Sequence, residues 1–424
     1  MDGRPRVVLD HDFADPDIVK VGDVYHAYAT SDGDRHIQHA TSRDLRHWTL
    51  DDSDMLPAPG AWADSRAELV WAPEVFDAGG TTGPGFTMLY TARDRAGGRQ
   101  CVGVARAASP DGPFLPVGDA PLICPSATGG AIDASTYTES GQRYLLWKND
   151  GNCCHLGADT WLHLQPTTWD GTRVTGDPIR LVRQDRSWEG GLVEAPTLVK
   201  RSGHYVLLYS ANAYDGGAYA TGYAVSRNLT GPYVKASRPL MTTDTFSDAV
   251  RGPGGQDVVT GPDGRDRILF HGWSDRGRVM HLADLGWADG LPVVRGSKVI
   301  YEAETAHLRD ARVREAPEAS DGKAVGRIDH PDSHVEFKVF AASAGSHTLS
   351  VRFANGSLEA DGSPASATHR LSVNGTDTGT VDYPHTAWDN WRTAVRSVTL
   401  NSGWNSITLS KGTLYAELDL IEVA

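Results

Sequence analysis

Residues 205–210 read YVLLYS, and residues 224–233, a short way along the chain, read AVSRNLTGPY. The first run is aromatic and apolar almost throughout, which is typical of a buried strand. The second run begins with small residues and ends at an aromatic residue beside a Gly-Pro turn. Together they predict a pair of neighbouring strands closed by a turn, and the recurrence of this unit decides the fold.

The same unit recurs along the chain, with starts roughly 60 residues apart. That length suits a four-stranded sheet with long loops. Five such sheets would close into a five-bladed β-propeller and leave few exposed edges, whereas a β-sandwich or a pair of barrels is the alternative. The opening strands of the five units are residues 24–30, 86–91, 144–148, 205–210 and 268–273.

The pattern changes near residue 298. Beyond it the chain reads as alternating strands without a further unit of this kind, and Asn374-Gly375 is a hairpin signal. About 125 residues with this pattern predict a β-sandwich of jelly-roll type, the size of common binding modules. We therefore expect an all-β fold with two domains, a five-bladed β-propeller over residues 1–298 and a β-sandwich over residues 299–424.

Composition excludes several classes of function. The chain has 40 Lys and Arg against 54 Asp and Glu, a formal charge of −14, so it would repel phosphates and we expect no nucleic-acid partner. No apolar run approaches the ~20 residues that span a bilayer, so we expect no membrane partner. The 46 Gly and 23 Pro indicate many tight turns and therefore short strands.

The cysteines are Cys101, Cys124, Cys153 and Cys154, and none forms a CxxC pair, so we do not expect a cysteine-based zinc site. The neighbouring Cys153 and Cys154 are interpreted as two buried thiols, or as members of two separate disulfides, in preference to a redox centre. The first residues contain no hydrophobic signal core, which fits a cytoplasmic protein or a secreted one whose signal has been removed.

Three acids lie at or inside strand-like runs, each beside small or apolar residues. They are Asp15 in ADP, Asp133 in IDAS and Glu194 in EAP. The innermost strands of a propeller converge on one axis, so these acids would meet in a central pocket. Close carboxylates perturb one another, and burial raises the pKa of at least one. Singly, each acid suits a turn or an ion pair; together they suit the acid and base of glycoside hydrolysis.

These motifs, with WAPEV at residues 71–75, resemble the catalytic domain of glycoside hydrolase family 43. The resemblance implies a five-bladed propeller and inversion at the anomeric carbon, with acid and base about 6.5–9.5 Å apart. By motif, Asp15 matches the general base that activates water, and Glu194 the general acid that protonates the leaving oxygen. Asp133 matches the acid that orients Glu194 and raises its pKa.

The resemblance leads us to expect a secreted, monomeric exo-glycosidase that acts on plant cell-wall polysaccharide or oligosaccharide. Among the activities of this family we favour α-L-arabinofuranosidase, with β-xylosidase next, and then a galactan- or galactofuranoside-active enzyme. The intact Asp15 motif argues against the exo-β-1,3-galactanase branch, whose members often lack that acid. Two other classes are a non-catalytic lectin and a protein-interaction scaffold without sugar affinity; the three intact carboxylates favour the enzyme.

Two further residues of the first domain could belong to the site. Trp71 is a candidate platform for stacking on a sugar, with core packing as the alternative. His271, in FHGW, resembles an axial histidine that in some relatives lies beside a bound cation, often calcium; a hydrogen-bonded core histidine is the alternative. Residues 148–152, KNDGN, could form a wall of the site, but we prefer a turn.

The C-terminal segment resembles carbohydrate-binding modules of families 35 and 6, through YEAE at residues 301–304 and LDLI at residues 418–421. In such modules these acids bind a structural calcium, which prefers hard oxygen ligands. The resemblance therefore assigns Glu302, Glu304 and Asp419 to calcium, the predicted cofactor.

The same resemblance points to residues that would contact the module's ligand. Asn355, Trp388 and Trp391 lie in the matching segments. Trp391 also fits a core position, and Asn355 also fits a turn.

Overall fold

The computed structural model describes residues 4–79 and 85–424, and it consists of β-strands joined by turns and short 3₁₀ helices. The predicted all-β fold is confirmed. Among the described residues, no helix is long and apolar enough to cross a membrane. The 3₁₀ helices are Ala67–Leu69, Ser126–Thr128, Ser187–Glu189, Ala303–Thr305 and Ser320–Gly322.

The chain forms two compact units. The first contains Pro5–Asp284 and Asp289–Leu291, and the second contains Leu285–Ala288 and Pro292–Ala424. The division predicted after residue 298 falls a few residues beyond the start of the long segment of the second unit.

The described part of the first unit contains five antiparallel sheets that follow one another along the chain, numbered here 1 to 5. The N-terminal strand is β1 (Arg6–Leu9). In sheets 1 to 4 the strands pair in chain order. The strands of sheets 1 and 2 are β2 (Asp17–Val21), β3 (Val24–Ala29), β4 (Gln38–Ser42), β5 (Trp48–Asp51), β6 (Trp71–Asp77), β7 (Phe86–Arg93), β8 (Gln100–Ala107) and β9 (Leu115–Pro116).

Sheets 3 and 4 have the same arrangement, and sheet 5 also includes the N-terminal strand β1. Sheet 3 contains β10 (Ala131–Glu139), β11 (Gln142–Asn149), β12 (Trp161–Thr167) and β13 (Ile179–Arg183), and sheet 4 contains β14 (Val193–Arg201), β15 (His204–Ala211), β16 (Ala220–Ser226) and β17 (Val234–Lys235). Sheet 5 contains β18 (Arg251–Thr260), β19 (Asp266–Ser274) and β20 (Gly277–Ala288), which is followed by β21 (Leu291–Val294). Strand β1 pairs with β20, so the first strand of the chain is an edge of the last sheet.

The first strands of the five sheets form a closed ring of contacts. Strand β2 contacts β6, β6 contacts β10, β10 contacts β14, β14 contacts β18, and β18 contacts β2. Apolar clusters join neighbouring sheets, and this explains the near-continuous apolar runs of the second strands: both faces of a sheet are covered. Examples are Tyr25 with Leu269, Tyr28 with Met88, Leu89 with Leu145, and Leu146 with Leu207.

The second unit contains two antiparallel sheets in residues 299–423, all of which are described. Its strands are β22 (Val299–Glu302), β23 (His307–Arg309), β24 (Arg312–Glu315), β25 (Lys323–Gly326), β26 (His334–Ala341), β27 (Gly345–Asn355), β28 (Ala367–Val373), β29 (Thr376–Tyr383), β30 (Ala387–Leu400), β31 (Gly403–Lys411) and β32 (Glu417–Val423). One sheet has the order β24-β25-β32-β27-β30, with β22 beside β32, and the other has the order β23-β26-β31-β28-β29.

Alternate residues from both sheets of this unit form one apolar core. Phe337 and Leu409 come from one sheet, and Val351 and Ile421 from the other. The hairpin predicted at Asn374-Gly375 is confirmed, because these two residues have φ of 50° and 77° and join β28 to β29.

Candidate active site

The first strand of each sheet in the first unit has the same irregularity near its N-terminal end, which in sheet 1 falls at Asp15, just before β2 begins. One residue adopts a left-handed φ, and in sheets 2 to 5 the pairing with the second strand shifts register there. A left-handed residue other than glycine costs of order 1 kcal/mol or more, so the surrounding structure must impose it. These bulge residues are Asp15 (52°), Ala72 (41°), Asp133 (55°), Ala195 (48°) and Gly255 (56°).

Each bulge residue donates its backbone N–H to a side chain of the preceding sheet, and sheet 5 precedes sheet 1 in this ring. The five hydrogen bonds therefore link every sheet to the next. They run from Asp15 to His271 Nδ1 (3.1 Å), from Ala72 to Thr30 Oγ1 (2.9 Å), from Asp133 to Thr91 Oγ1 (3.2 Å), from Ala195 to Asp133 Oδ2 (3.0 Å) and from Gly255 to Ser210 Oγ (2.9 Å).

Four of these acceptors occupy one equivalent position, near the end of the second strand of a sheet. In sheet 3 that position, opposite Ile132, is Lys148. An ammonium group donates hydrogen bonds and accepts none. Asp133 therefore accepts the bond from Ala195 in its place, and Lys148 can pair with an anion.

The bulges bring the three predicted carboxylates into one cavity of about 430 Å³. Asp15, Asp133 and Glu194 line it from sheets 1, 3 and 4 respectively. Trp71 lines the same cavity, and its indole N–H donates to the backbone oxygen of Glu68 at 2.9 Å. The structure thus places Trp71 on the cavity wall and not in the apolar core.

Asp15 is held as a carboxylate. Thr30 donates its hydroxyl to Asp15 Oδ2 at 2.7 Å, and Arg278 Nη1 lies 3.5 Å from the same oxygen. Burial alone would raise the pKa of Asp15, but the Arg278 guanidinium, His271 and the hydrogen bond from Thr30 together outweigh burial and hold this pKa below its ordinary value. Asp15 is therefore ionised at neutral pH, as a general base must be.

His271 does not have the arrangement of a metal ligand. It is fully buried, and burial lowers its pKa to about 3, so the ring is neutral. Nδ1 accepts the N–H of Asp15, which leaves the ring proton on Nε2. Neither nitrogen then offers a free lone pair to a cation, so the residues present do not fit a cation bound by His271, and its hydrogen bond to Asp15 accounts for its position.

Glu194 is held between a phenol and an ammonium group. Tyr219 donates its hydroxyl to Oε1 at 2.8 Å, and Lys148 Nζ lies 3.1 Å from Oε2. Lys148 is fully buried, and its second partner is Asp150 Oδ1 at 3.3 Å. Burial opposes the charge on Lys148, but the carboxylates of Glu194 and Asp150 raise its pKa overall. Lys148 is thus a permanent cation beside Glu194.

Asp133 lies beside Glu194 in the same cavity. Burial, reinforced by the neighbouring Glu194 carboxylate, raises the pKa of Asp133 well above its ordinary value. Asp133 therefore favours its protonated form, whereas Asp15 is ionised in the same cavity. Carboxyl groups held in different charge states can serve as acid and base in one reaction.

The prediction of a turn at residues 148–152 is only partly right. Lys148 and Asn149 are the last residues of β11, and the turn begins after them. Lys148, Asp150 and Asn152 all line the cavity, so this segment is also a wall of the site. A lone lysine at the end of the apolar run YLLWK was the signal for it. Sequence reasoning missed Tyr219 and Arg278 altogether.

The cysteines form two disulfides, Cys101–Cys124 and Cys153–Cys154. The bond between the neighbouring pair differs from both arrangements expected from the sequence, because the two residues bond to each other. Cys153 lies in the turn after β11 and lines the cavity.

The residues predicted to bind a ligand in the second unit have different environments. Asn355 is fully buried and donates both amide hydrogens to backbone oxygens of Ala365 and Tyr383, each at 2.8 Å. Its own oxygen accepts the N–H of Ser357, so the side chain has no free group for a ligand. Trp388 is exposed, whereas Trp391 is half-buried below the Arg352 guanidinium.

The acids predicted to bind calcium are only partly brought together. Carboxylate oxygens of Glu302 and Glu304 cluster with one of Asp321, all within 4.8 Å of one another. Asp419 lies beyond Ser320, which donates its N–H to Asp419 Oδ1 (2.9 Å) and its hydroxyl to Glu302 Oε1 (3.0 Å). The other oxygen of Asp419 accepts from Arg352. Asp321 was not identified from the sequence.

Residues 5–292 match the family model for glycosyl hydrolases family 43. The chain belongs to this family. The resemblance found from the motifs is therefore confirmed for the first unit, and the chain is a glycoside hydrolase. The lectin and scaffold alternatives are thereby set aside.

Family 43 relatives align with large parts of the chain. The extracellular endo-α-(1→5)-L-arabinanase 1 of Bacillus subtilis is 25% identical over 66% of this chain and 86% of its own length. The α-L-arabinofuranosidase 43 of Humicola insolens is 27% identical over 57% of this chain, but the match spans only 54% of that relative. The crystal structure of an exo-β-1,3-galactanase from Phanerochaete chrysosporium shares the fold over 97% of this chain and 96% of its own, with a TM-score of 0.52 and 22% identity.

We predict that Lys148→Met will change the pH dependence of this glycosidase. The ammonium group lowers the pKa of Asp133, so without it Asp133 should keep its proton to higher pH, and the alkaline limb of the kcat/KM profile should move to higher pH. Loss of a preorganised donor should lower kcat by about 100-fold, and the broken buried pair should lower the free energy of unfolding by about 3–5 kcal/mol.

The matched control is Lys200→Met, which removes a lysine whose ion pair with Glu139 lies at the surface. It should leave the pH profile unchanged. A folded Lys148→Met enzyme with the wild-type alkaline limb would contradict the role of Lys148.

Proposed function

We propose that the chain is an inverting α-L-arabinofuranosidase. The observation that carries the proposal is the meeting of three carboxyl groups in one cavity: Asp15 is ionised beside Arg278, and Asp133, whose pKa is raised, lies beside Glu194. In this proposal the first unit is a five-bladed propeller, supported by the closed ring of first strands and by the pairing of β1 with β20. The second unit is a β-sandwich that binds carbohydrate.

In the proposed mechanism, Asp15 and Glu194 act on the substrate from opposite sides of the cavity. Asp15 takes a proton from a water molecule, and the water oxygen attacks the anomeric carbon from the face opposite the leaving group. The C–O bond to the leaving group breaks as Glu194 delivers its proton to the departing oxygen. Asp133 acts as a positioning residue, because it accepts the N–H of Ala195, the residue after Glu194.

The choice of arabinose is supported by the relatives, two of which are named for action on L-arabinofuranosyl linkages. Trp71 supplies an aromatic wall on which the apolar face of a furanose ring can stack. The substrate is then a terminal or side-chain sugar of plant cell-wall polysaccharide, with β-xylosidase or galactofuranosidase action as the runner-up. The extracellular name of the Bacillus relative supports secretion, and we propose a monomer.

The second unit is proposed as a carbohydrate-binding module. Its two sheets share one apolar core, as the layers of a sandwich do. Trp388 remains a candidate ligand contact because its ring is exposed. Asn355 is not retained, since its polar atoms are all used within the fold.

Calcium in this module is proposed at Glu302, Glu304 and Asp321. Oxygens within 4.8 Å of one another can bind one Ca²⁺ at its usual 2.3–2.6 Å. Glu304 Oε2 is buried without a hydrogen-bond partner among the described residues, and burial together with the neighbouring acids raises the pKa of Glu304. A bound cation would give Glu304 Oε2 a partner, and it would offset the repulsion between Glu304 and the neighbouring acids. Asp419 would support the site through Ser320, and the calcium would be structural.

The catalytic proposal predicts that Glu194→Gln will be selective for leaving groups. We first expect the wild type to hydrolyse an aryl α-L-arabinofuranoside faster than the matching β-D-xyloside, β-D-galactoside or β-D-galactofuranoside. Glu194→Gln should then lose about 10²–10⁴-fold on arabino-oligosaccharide, and much less on an activated aryl arabinofuranoside, which departs without protonation.

Glu139→Gln, at an acid paired with Lys200 on the surface, is the control and should behave as wild type. Equal losses on both kinds of substrate would overturn the role of Glu194 as the acid. A faster rate on the xyloside would replace the arabinose proposal with its runner-up.

The calcium proposal predicts that Ca²⁺ raises the melting temperature of the full chain. A ligand that binds only the folded state stabilises it by about 2.7 kcal/mol at a hundredfold excess over Kd. Chelator should remove this effect, and Glu304→Gln should abolish it. Glu315→Gln, at an exposed acid, should retain it. Indifference of the wild-type melting temperature to calcium and chelator would refute the site.

A further inference from the structure

The turn that carries Cys153 and Cys154 is exposed and makes few contacts with the rest of the fold. It follows β11, and residues 154–159 are all exposed. The backbone hydrogen bonds from Cys153 to Ala158 stay within the turn: Cys153 N–H donates to the oxygen of Asp150 at 3.0 Å, and Leu156 N–H donates to the oxygen of Cys153 at 3.0 Å. Segments of this kind open easily unless something else holds them.

The backbone of this turn is also strained. Cys154 and His155 adopt left-handed φ values of 58° and 60° in succession, although neither is glycine. Each such residue costs of order 1 kcal/mol or more and persists only where the surroundings impose it. With few tertiary contacts to do so, the covalent bond between Cys153 and Cys154 is the strongest local constraint on the turn.

One end of the turn belongs to the cavity. Cys153 lines the cavity beside Asp150 and Asn152, on the same side as the cation that holds Glu194. The Cys153 sulfur lies 3.4 Å from the backbone oxygen of Gly129 and 3.7 Å from Arg99 Nη1, and these two contacts position it. In a cavity otherwise lined largely by charged and hydroxyl groups, a bonded pair of sulfurs is an apolar, polarizable patch.

We propose that the Cys153–Cys154 disulfide forms an apolar wall of the substrate cavity and determines how tightly the sugar binds. The intact bond keeps the Cys153 sulfur in this position, where it contacts a C–H face of the bound glycoside. Reduction by a phosphine, which takes up oxygen from water as two thiols form, releases the strained turn and removes this contact. The chemistry at Asp15 and Glu194 continues, because neither residue touches the turn.

This inference rests on the glycosidase activity of the family and does not depend on which sugar is bound. It differs from the role of Lys148, whose charge acts on the acids of the reaction and therefore on kcat. A wall of the cavity acts on substrate affinity, so its loss should appear in KM.

The test uses the full chain produced in an oxidising compartment, with tris(carboxyethyl)phosphine as reductant. Alkylation and mass spectrometry of the untreated enzyme should find Cys153 and Cys154 blocked. Brief reduction should expose these two, while Cys101, which is fully buried, stays bonded to Cys124. On an aryl glycoside that the enzyme accepts, KM should then rise by about three- to tenfold with kcat nearly unchanged.

The double variant Cys153→Ala/Cys154→Ala is the control for the reductant. Its KM should equal that of the reduced wild type, and the phosphine should not change it further. Free thiols in the untreated enzyme, or an unchanged KM after the bond is shown to be reduced, would overturn the proposal. If the enzyme hydrolyses no aryl glycoside, that result contradicts the proposed function but not this proposal. The dissociation constant for free L-arabinose, measured by calorimetry, then replaces KM in the comparison of oxidised and reduced enzyme.

Discussion

Five backbone hydrogen bonds, one from each bulge residue to the preceding sheet, are the constraint on which the first unit depends. A buried N–H left without a partner costs about 1–3 kcal/mol, so each bulge needs its neighbour's acceptor in place. The last of these bonds joins the two ends of the ring, because the N–H of Asp15 in sheet 1 is accepted by His271 in sheet 5. The hydrogen bond that closes the ring therefore also positions the proposed base. At Gly255 there is no room for a side chain, because an added Cβ would lie 2.6 Å from both Asp15 Oδ1 and His271 Nδ1.

The chemistry follows from how the five bulge positions are filled. Three of them are Ala72, Ala195 and Gly255, whose side chains are small or absent. The other two are aspartates, and they differ in their neighbours: Asp15 faces the Arg278 guanidinium, whereas Asp133 faces the Glu194 carboxylate. One position in the fold thus holds an ionised carboxylate in Asp15 and a carboxyl group with a raised pKa in Asp133. Sheet 3 also differs from the other sheets because Lys148 stands at the position where each of them has a hydrogen-bond acceptor.

Much of this arrangement could be predicted from the sequence, because the signals were local. Aromatic and β-branched runs such as residues 205–210 predict buried strands, and ADP, IDAS and EAP mark three acids beside small residues that were predicted to meet in one pocket. Residues that meet only in three dimensions could not be found this way: Tyr219 and Arg278 lie far along the chain from the acids that they contact. Asn355 and Asp419 matched motifs, but their polar atoms are already used within the fold, and Asp321 joins Glu302 and Glu304 only because the chain turns back at Ser320.

The central claim is that Asp15 delivers water to the anomeric carbon while Glu194 protonates the leaving group from the opposite side. The measurement that tests it most directly is proton NMR of the first sugar released from an aryl α-L-arabinofuranoside, recorded before mutarotation. Direct attack by water predicts that β-L-arabinofuranose appears first and that the α anomer grows in only as the sugar equilibrates. Initial release of the α anomer would show retention through a covalent intermediate, and it would contradict the assignment of Asp15 as the base.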